Sequence, residues 1–257
     1  VEVTAGAGVG WHALVRYCLA QGWFGLENLA LIPGSVGAAP LQNIGAYGVE
    51  LADRLVRLRA LRVADGQLCT FDRQDCGFSY RDSYFKSGAP GEFVVVDVTI
   101  ALATTPELVL GYPDVAAELQ RMGRPQPGPV AVAEAVIRIR RRKLPDPRRI
   151  GNVGSFFKNP VVPLETWRRL AASDTALVGH PSDGAMKLSA AQLIDLAGGK
   201  RLRVGDAAVW PRQPLVLVNR GAATGSDFLS LAAEIRAAVR ARFDVLLEIE
   251  PRVCVDY

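Results

Sequence analysis

The segment 154–160, Gly-Ser-Phe-Phe-Lys-Asn-Pro, carries the residues of this chain best suited to chemistry. Ser155 follows a glycine and precedes two aromatic rings, so its hydroxyl can lie partly shielded from water. A hydroxyl positioned in this way can donate a proton. A loop serine is more often a satisfied turn residue. The segment therefore indicates a proton donor only if distant parts of the chain complete a site.

A second segment, 33–48, is rich in glycine, with glycines at 34, 37, 45 and 48. Glycine lets backbone amides approach a ligand closely, and successive amides can cradle a pyrophosphate. No Gly-x-Gly-x-x-Gly motif lies between a strand and a helix, and the glycines of 6–10 match it too loosely, so a Rossmann site is not indicated. A glycine-rich loop is more often structural, and the residues alone leave its ligand open.

Charged side chains could complete such a site. Arg81 lies in the polar run 79–83, and a guanidinium can bind a carboxylate with two hydrogen bonds and stabilise negative charge. An exposed arginine is usually just solvated.

A terminal strand is expected over 245–255, and alternation would place Glu248 and Glu250 on one face. A polar outer face with cross-strand ion pairs is the alternative for these two glutamates.

Composition excludes several classes of protein. The 257 residues are 49% hydrophobic and 22% charged, as is usual for a soluble globular protein of one large or two modest domains. No apolar run is long enough to span a membrane, and Val1–Thr4 is typical of a strand and not of a signal peptide. With two histidines and four cysteines outside any zinc pattern, we expect reduced thiols, no metal and a cytoplasmic protein.

The net charge of +4 is concentrated in the arginines and lysine of 138–149. Cations suit the C-terminal end of a helix, where the dipole is negative. A site for a phosphorylated small molecule is the alternative. No aromatic residues interleave with these charges, so binding to nucleic acid is not expected.

Hydrophobic periodicity predicts elements of both types. Pro145–Gly151 is the expected domain boundary. Helices are expected over 11–21, around 132–139 with an end before Pro145, over 188–197 with a stop at Gly198, and over 228–242 with a cap at Ser226 or Asp227. Strands are expected over 55–63 and 67–71 around an Asp65-Gly66 turn, and over 93–102, 215–218 and 245–255.

The segments 32–48 and 154–160 together resemble the UDP-N-acetylenolpyruvoylglucosamine reductase family, and the motifs at 25–29, 79–83, 143–147 and 247–250 follow in that family's order. The resemblance spans the whole chain. It implies an α+β fold with two domains. One is a flavin-binding domain of the vanillyl-alcohol-oxidase (PCMH) type, formed by 1–147 plus 246–257. The other is a separate α+β substrate-binding domain, formed by 148–245.

The resemblance also implies the reaction and the residues that serve it. NADPH would reduce FAD, and the reduced flavin would reduce UDP-N-acetylenolpyruvoylglucosamine to UDP-N-acetylmuramate for peptidoglycan. The implied catalytic residues are Arg81, Ser155 and Glu250. The implied flavin contacts are Gly34, Ser35, Val36, Gly37, Ala38, Asn43, Gly45, Tyr47 and Arg140. The implied substrate contacts are Tyr112, Lys143, Asn159 and Gln213, with Tyr112 on a substrate-capping loop.

One family feature is not matched. The family carries a further flavin-binding segment, with a Gly-Ser-Asn loop, before the position of Val1. Residues 1–257 alone are therefore expected to hold little FAD. Two other classes stay open: a UDP-sugar-binding fragment without catalysis, and another flavin oxidase of the same superfamily. The expected partner is the nucleotide sugar, with no nucleic acid, no membrane and a monomeric state.

Overall fold

An antiparallel sheet organises the first of two units, Val1–Arg140. The computed structural model describes residues 1–254. The sheet has the strand order β1-β6-β4-β5, and β2 and β3 form a separate hairpin. The elements that begin in this unit are β1 (Glu2–Gly6), α1 (Trp11–Ala20), β2 (Gly45–Ala46), β3 (Val49–Glu50), β4 (Leu55–Arg62), β5 (Leu68–Asp72), β6 (Phe93–Ala101), α2 (Pro113–Arg121) and α3 (Pro129–Lys143).

Apolar faces of the sheet and of two helices form the core of this unit. Leu58 and Ile100 of the sheet, Val15 of α1 and Ile139 of α3 are at most 1% exposed and belong to one cluster. The predicted helix at 11–21, the strands around the Asp65-Gly66 turn and the strand at 93–102 are confirmed to within a residue or two. Burial of these alternating side chains supplies the main stabilisation of the unit.

The second unit, Arg141–Tyr257, contains two further antiparallel sheets, with the orders β11-β12-β13-β7 and β8-β10-β9. Its elements are β7 (Gly151–Ser155), β8 (Val161–Val162), α4 (Leu164–Ser173), β9 (Gly179–Ser182), β10 (Ala185–Leu188), α5 (Ala190–Leu196), β11 (Arg203–Val204), β12 (Ala207–Val209), β13 (Val216–Asn219) and α6 (Gly225–Phe243). Leu217 of β13 and Ile235 of α6 lie in its core, fully buried. Both units mix helices and strands, as the fold class predicted.

The division between the units differs from the predicted boundary. It falls between Arg140 and Arg141, within the last turn of α3, and not in 145–151. The reason is packing. Ile139 lies in the first core, whereas Leu144 and Ile150 pack against Val216 in the second unit.

The predicted strand at 245–255 is wrong as a regular element. The described part of this segment makes one isolated bridge, from Ile249 to Phe157. Val245 and Leu247 are buried in the second core, and 246–254 belong to the second unit, whereas the prediction assigned 246–257 to the first domain. Val255 and the two residues after it lie outside the described residues.

Helix boundaries also differ in detail. The helix predicted at 188–197 begins at Ala190, because Leu188 still pairs in β10 and the Ser189 hydroxyl caps the helix by accepting from the Gln192 N–H. Gly198, in the left-handed region at φ 79°, ends it as predicted. Thr224 caps α6, in place of the predicted Ser226 or Asp227.

Candidate functional site

Two glycine-bearing loops of the first unit pair along their backbones. The Val36 N–H donates to the Val9 carbonyl at 2.8 Å, and the Gly37 N–H donates to the Ala7 carbonyl at 2.9 Å. A Cβ on Gly37 would lie 2.5 Å from the Ala7 Cβ, so only glycine allows this approach. The segment 6–10, which sequence reasoning set aside, is therefore part of the site. Its three alternating glycines were the signal that could have found it.

Open space borders these loops. A Cβ added to Gly6, Gly8 or Gly34 would meet nothing within 4 Å, so a ligand can reach the backbone there. Accessible glycine backbone is a common feature of phosphate-binding loops. The amides of Val36, Gly37 and Ala38 already donate to carbonyls of the protein. These three residues were predicted as flavin contacts, and their amides stabilise the loop itself. Two other predicted contacts, exposed Gly34 and half-buried Ser35, lie at the accessible end of the loop.

Asn43 holds the hairpin that follows. Its side chain is 1% exposed, and its amide donates to Glu50 Oε2 at 2.7 Å and to the Ser79 carbonyl at 3.2 Å. Its Oδ1 accepts the Ala52 N–H at 2.9 Å. The side chain of Asn43, predicted as a flavin contact, therefore uses both amide donors within the protein.

Arg81 lies against the same hairpin. Its Nη2 donates to the Gly45 carbonyl at 2.6 Å, and its Nη1 lies 3.9 Å from Glu50 Oε1. A Cβ on Gly45 would lie 2.9 Å from Arg81 Nη1, so the absence of a side chain there admits the guanidinium. Arg81 has φ 58°, in the left-handed region. Such strain in a residue with a Cβ persists only where its surroundings enforce it, as they often do at functional sites.

Tyr47 and Arg140 form a second polar contact in the first unit. They share a side-chain hydrogen bond, and burial raises the pKa of Tyr47 and lowers that of Arg140. The Arg140 Nε also donates to the Leu31 carbonyl at 3.1 Å. The Tyr112 ring stacks edge-on against Tyr47, with the centroids 5.2 Å apart. Tyr112, predicted to cap the substrate, thus lies beside a residue predicted to meet the flavin.

In the second unit, Ser155 is the last residue of β7 and pairs with Val216 of β13. Gly154 before it has φ 76°, and the Phe156 N–H after it donates to the Leu215 carbonyl at 2.7 Å. Phe157 is 1% exposed. The two rings anchor the strand end in the core, so the backbone of half-buried Ser155 has a defined position.

The C-terminal segment lies directly beside this strand end. The Glu250 N–H donates to the Phe156 carbonyl at 3.0 Å, and the Lys158 N–H donates to the Glu248 carbonyl at 2.9 Å. Lys158 Nζ forms an ion pair with Glu248 at 2.6 Å. Glu250 therefore lies opposite Phe156, the residue after Ser155, whereas Glu248 lies opposite Lys158.

The predicted substrate residues of the second unit have structural contacts as well. Asn159 Oδ1 accepts the Ala190 N–H at 2.9 Å at the start of α5. The Trp210 indole donates to the Lys143 carbonyl at 2.9 Å, and the Gln213 N–H donates to the Trp210 carbonyl at 3.2 Å. Trp210 therefore links Lys143 to Gln213, and no pattern in the sequence marked it.

The predicted residues are divided between the units. The first unit brings together Arg81, Gly45 and Asn43, and separately Tyr47, Arg140 and Tyr112. The second unit brings Ser155 and Glu250 to one strand end. Within residues 1–254 no helix is long and apolar enough to cross a membrane, and no cluster of three potential metal ligands occurs.

Two surface clefts of the first unit, of about 270 and 310 Å³, lie elsewhere. One crosses the sheet between Thr4 and Arg59, and the other lies between α1 and α3. Neither is lined by a residue predicted to act in catalysis or binding.

Comparisons with known proteins cover both units. Residues 146–254 match the family model described as UDP-N-acetylenolpyruvoylglucosamine reductase, C-terminal domain, and residues 1–72 match the model described as FAD binding domain.

Individual relatives extend this match to almost the whole chain. The chain is 54% identical over 250 residues to the UDP-N-acetylenolpyruvoylglucosamine reductase of Azoarcus sp. (strain BH72), covering 97% of this chain and 72% of the relative. It is 52% identical over 258 residues to that of Burkholderia pseudomallei (strain K96243), covering 98% and 73%. A crystal structure of UDP-N-acetylenolpyruvylglucosamine reductase from Thermus caldophilus superposes with a TM-score of 0.65 at 28% identity, covering 96% of this chain and 71% of the other.

Proposed function

Because the chain belongs to the UDP-N-acetylenolpyruvoylglucosamine reductase family, we propose that it reduces UDP-N-acetylenolpyruvoylglucosamine to UDP-N-acetylmuramate, a step of peptidoglycan synthesis. It is an FAD-dependent oxidoreductase, and NADPH is the reductant of its family. The main structural support for this proposal lies in the second unit. Ser155 is at the end of β7, and Glu250 lies on the adjoining backbone segment.

The first unit contains groups that fit FAD. The open backbone at Gly6, Gly8 and Gly34 would hold its phosphates, with Arg140 and Tyr47 as further polar contacts. Bound FAD supplies hydride transfer, with electrons taken from NADPH. This unit and the second one are accordingly proposed as the flavin-binding and substrate-binding domains.

Ser155 is proposed as the proton donor. Reduction of the enolpyruvyl double bond adds hydride at the methylene carbon and a proton at the adjacent carbon. Backbone pairing with Val216 holds the residue that carries the hydroxyl, and the buried ring of Phe157 anchors the chain just after it. A proton donor on a fixed, partly desolvated backbone needs little reorientation to meet the substrate.

Arg81 is proposed to stabilise the negative charge that develops on the substrate, and Glu250 to donate a hydrogen bond to it as a protonated carboxylic acid. Arg81 offers two parallel N–H donors to a carboxylate. Glu250 lies opposite Phe156 and so next to the proton donor along the strand. Lys143, Asn159, Gln213 and Tyr112 are proposed to hold the nucleotide sugar, with Lys143 meeting the diphosphate as a charge.

The test separates the two half-reactions of the enzyme after it has been reconstituted with added FAD. In Ser155→Ala, reduction of the nucleotide sugar should slow by about 100- to 10,000-fold, as for a lost general acid, while reduction of the flavin by NADPH stays nearly unchanged. Stopped-flow absorbance follows both steps. Ser173→Ala is a matched control in the same unit, because its hydroxyl donates only to the Leu170 carbonyl at 3.0 Å.

Equal losses in both half-reactions, or no loss in either, would overturn the assignment of Ser155. Tight binding of the nucleotide sugar without turnover in the unmodified enzyme would overturn the proposed reaction itself.

A further inference from the structure

We infer that Glu50 is a positioning residue for Arg81, and that its carboxylate holds the guanidinium in the orientation needed to meet the carboxylate of the substrate. Glu50 is the last residue of β3, and no pattern in the sequence singled it out. The inference rests on the proposed function, because the contact of Arg81 with substrate belongs to that proposal.

The Glu50 carboxylate is itself fixed from two sides. Asn43, which is 1% exposed, donates to Glu50 Oε2 at 2.7 Å. The backbone N–H of Asp53 donates to the same side chain in a capping box, and Asp53 Oδ2 accepts the Glu50 N–H in return at 2.8 Å. These donors belong to a buried amide and to the backbone, so the carboxylate has little freedom to follow a moving partner.

Arg81 is held between this carboxylate and a carbonyl. Its Nη1 lies 3.9 Å from Glu50 Oε1, and its Nη2 donates to the Gly45 carbonyl at 2.6 Å. The side chains of Arg81 and Glu50 are 20% and 36% exposed, so solvent screens the pair only in part. The hydrogen bond to Gly45 fixes one end of the guanidinium, and the charge of Glu50 at 3.9 Å attracts the other end.

Orientation matters for the reaction because a guanidinium binds a carboxylate with two parallel hydrogen bonds, which require the two groups to share a plane. A misplacement of about 1 Å can cost on the order of 100-fold in rate. The backbone of Arg81, at φ 58°, lies in the left-handed region that is disfavoured for a residue with a Cβ, as often occurs at functional sites.

The experiment replaces Glu50 by glutamine in FAD-loaded enzyme. The glutamine oxygen can still accept from Asn43, which leaves the amide nitrogen to face the guanidinium. We expect about a 10-fold fall in kcat for reduction of the nucleotide sugar, with the affinity for UDP unchanged within twofold by calorimetry. In ¹⁵N NMR spectra, rotation of the Arg81 guanidinium should become faster.

Glu134→Gln is the matched control. It makes the same change of charge in the first unit, on α3, where Glu134 pairs with Arg138 at 2.8 Å. It should leave turnover, UDP affinity and the Arg81 signal unchanged.

Two further measurements test whether Glu50 acts through Arg81. In an Arg81→Ala background, Glu50→Gln should cause no additional loss of turnover, because a residue that acts through Arg81 has nothing left to position. A further 10-fold loss there, or unchanged guanidinium rotation in Glu50→Gln, would overturn the inference.

If Arg81→Ala alone leaves turnover unchanged, the proposed role of Arg81 fails, while the NMR measurement still decides whether Glu50 positions it. Should Glu50→Gln fail to fold, Glu50→Asp retracts the carboxylate and keeps its charge. Faster rotation in that variant supports the inference, and unchanged rotation overturns it.

Discussion

Two glutamates of the C-terminal segment differ in their surroundings although they are two residues apart. Glu248 has its carboxylate 2.6 Å from Lys158 Nζ, and its side chain is 70% exposed. Glu250 is half-buried, and its N–H is bound to the strand end that carries Ser155. Lys158, whose side chain is only 16% exposed, balances the charge of Glu248, so Glu248 is poorly placed to act on a substrate. These surroundings support the proposal that Glu250 acts in catalysis.

Glu250→Gln should lower kcat for reduction of the nucleotide sugar by at least 10-fold with little change in substrate affinity, since the interaction is needed mainly in the transition state. Glu248→Gln is the natural control, and we expect it to change kcat by less than about threefold. Steady-state kinetics and calorimetry measure the two quantities. A large effect of Glu248→Gln beside a silent Glu250→Gln would reverse the assignment.

At the scale of elements, a capping motif in the local sequence fixes where α6 begins. The Thr224 hydroxyl accepts the Asp227 N–H at 3.3 Å, and Asp227 Oδ2 accepts the Thr224 N–H at 2.8 Å. These two bonds form a capping box, which satisfies donors that the first turn of a helix leaves without intrahelical partners. The helix then buries Leu231 and Ile235 in the second core.

Thr224→Ala should destabilise the second unit by about 1 kcal/mol, the usual value of a lost N-cap. Ser226→Ala, which changes a neighbouring hydroxyl outside the box, should have a much smaller effect. Urea denaturation followed by circular dichroism compares the two variants. Equal destabilisation by both would contradict the placement of the cap.

The same box predicts a dependence of stability on pH. Hydrogen bonds from the backbone and side chain of Thr224 hold the pKa of Asp227 below its usual range. A carboxyl whose folded pKa is lowered contributes stability above its unfolded pKa, near 4, and loses that contribution as the pH falls through the folded value. Thr224→Ala should therefore reduce the acid sensitivity of α6, measured by hydrogen exchange at pH 3 and 6. An unaltered ratio of exchange rates would refute this.

Across the whole molecule, burial gives chemically identical residues different reactivities. Cys18 and Cys76 lie fully buried in the first core, whereas Cys254 is exposed and Cys69 is intermediate. Burial raises the pKa of Cys18 to about 11 and that of Cys76 to about 12. The thiolate is the reactive form, so both buried thiols are doubly protected, by their protonation and by the packing around them.

Iodoacetamide at pH 8 should label Cys254 first and Cys69 more slowly, and should leave Cys18 and Cys76 unmodified in the folded protein. Labelling of the last two should begin only in denaturant, because both lie in the first core and report its opening. Peptide mass spectrometry resolves all four sites. Cys18 labelled as fast as Cys254 in native buffer would show that this core is not closed.

The sequence by itself determined the local features of this protein and its family. Periodicity located α1, the hairpin of β4 and β5 and the strand β6, because these elements depend on neighbouring residues that repeat every 3.6 or 2 positions. The motifs around Ser155 and Gly34 pointed to the family before any geometry was known. Gly198 ended α5 as its left-handed preference predicts.

Only the tertiary structure decided what depends on residues far apart in the chain. The segment 245–254 alternates like a strand, yet it joins the second core through Leu247 and pairs only over 248–250, around the bridge from Ile249 to Phe157. The pairing of 6–10 with 34–37, and the placement of Glu50 against Arg81, arise from contacts across about 30 positions. Such contacts are selected by the packing of whole elements, and no local pattern encodes them.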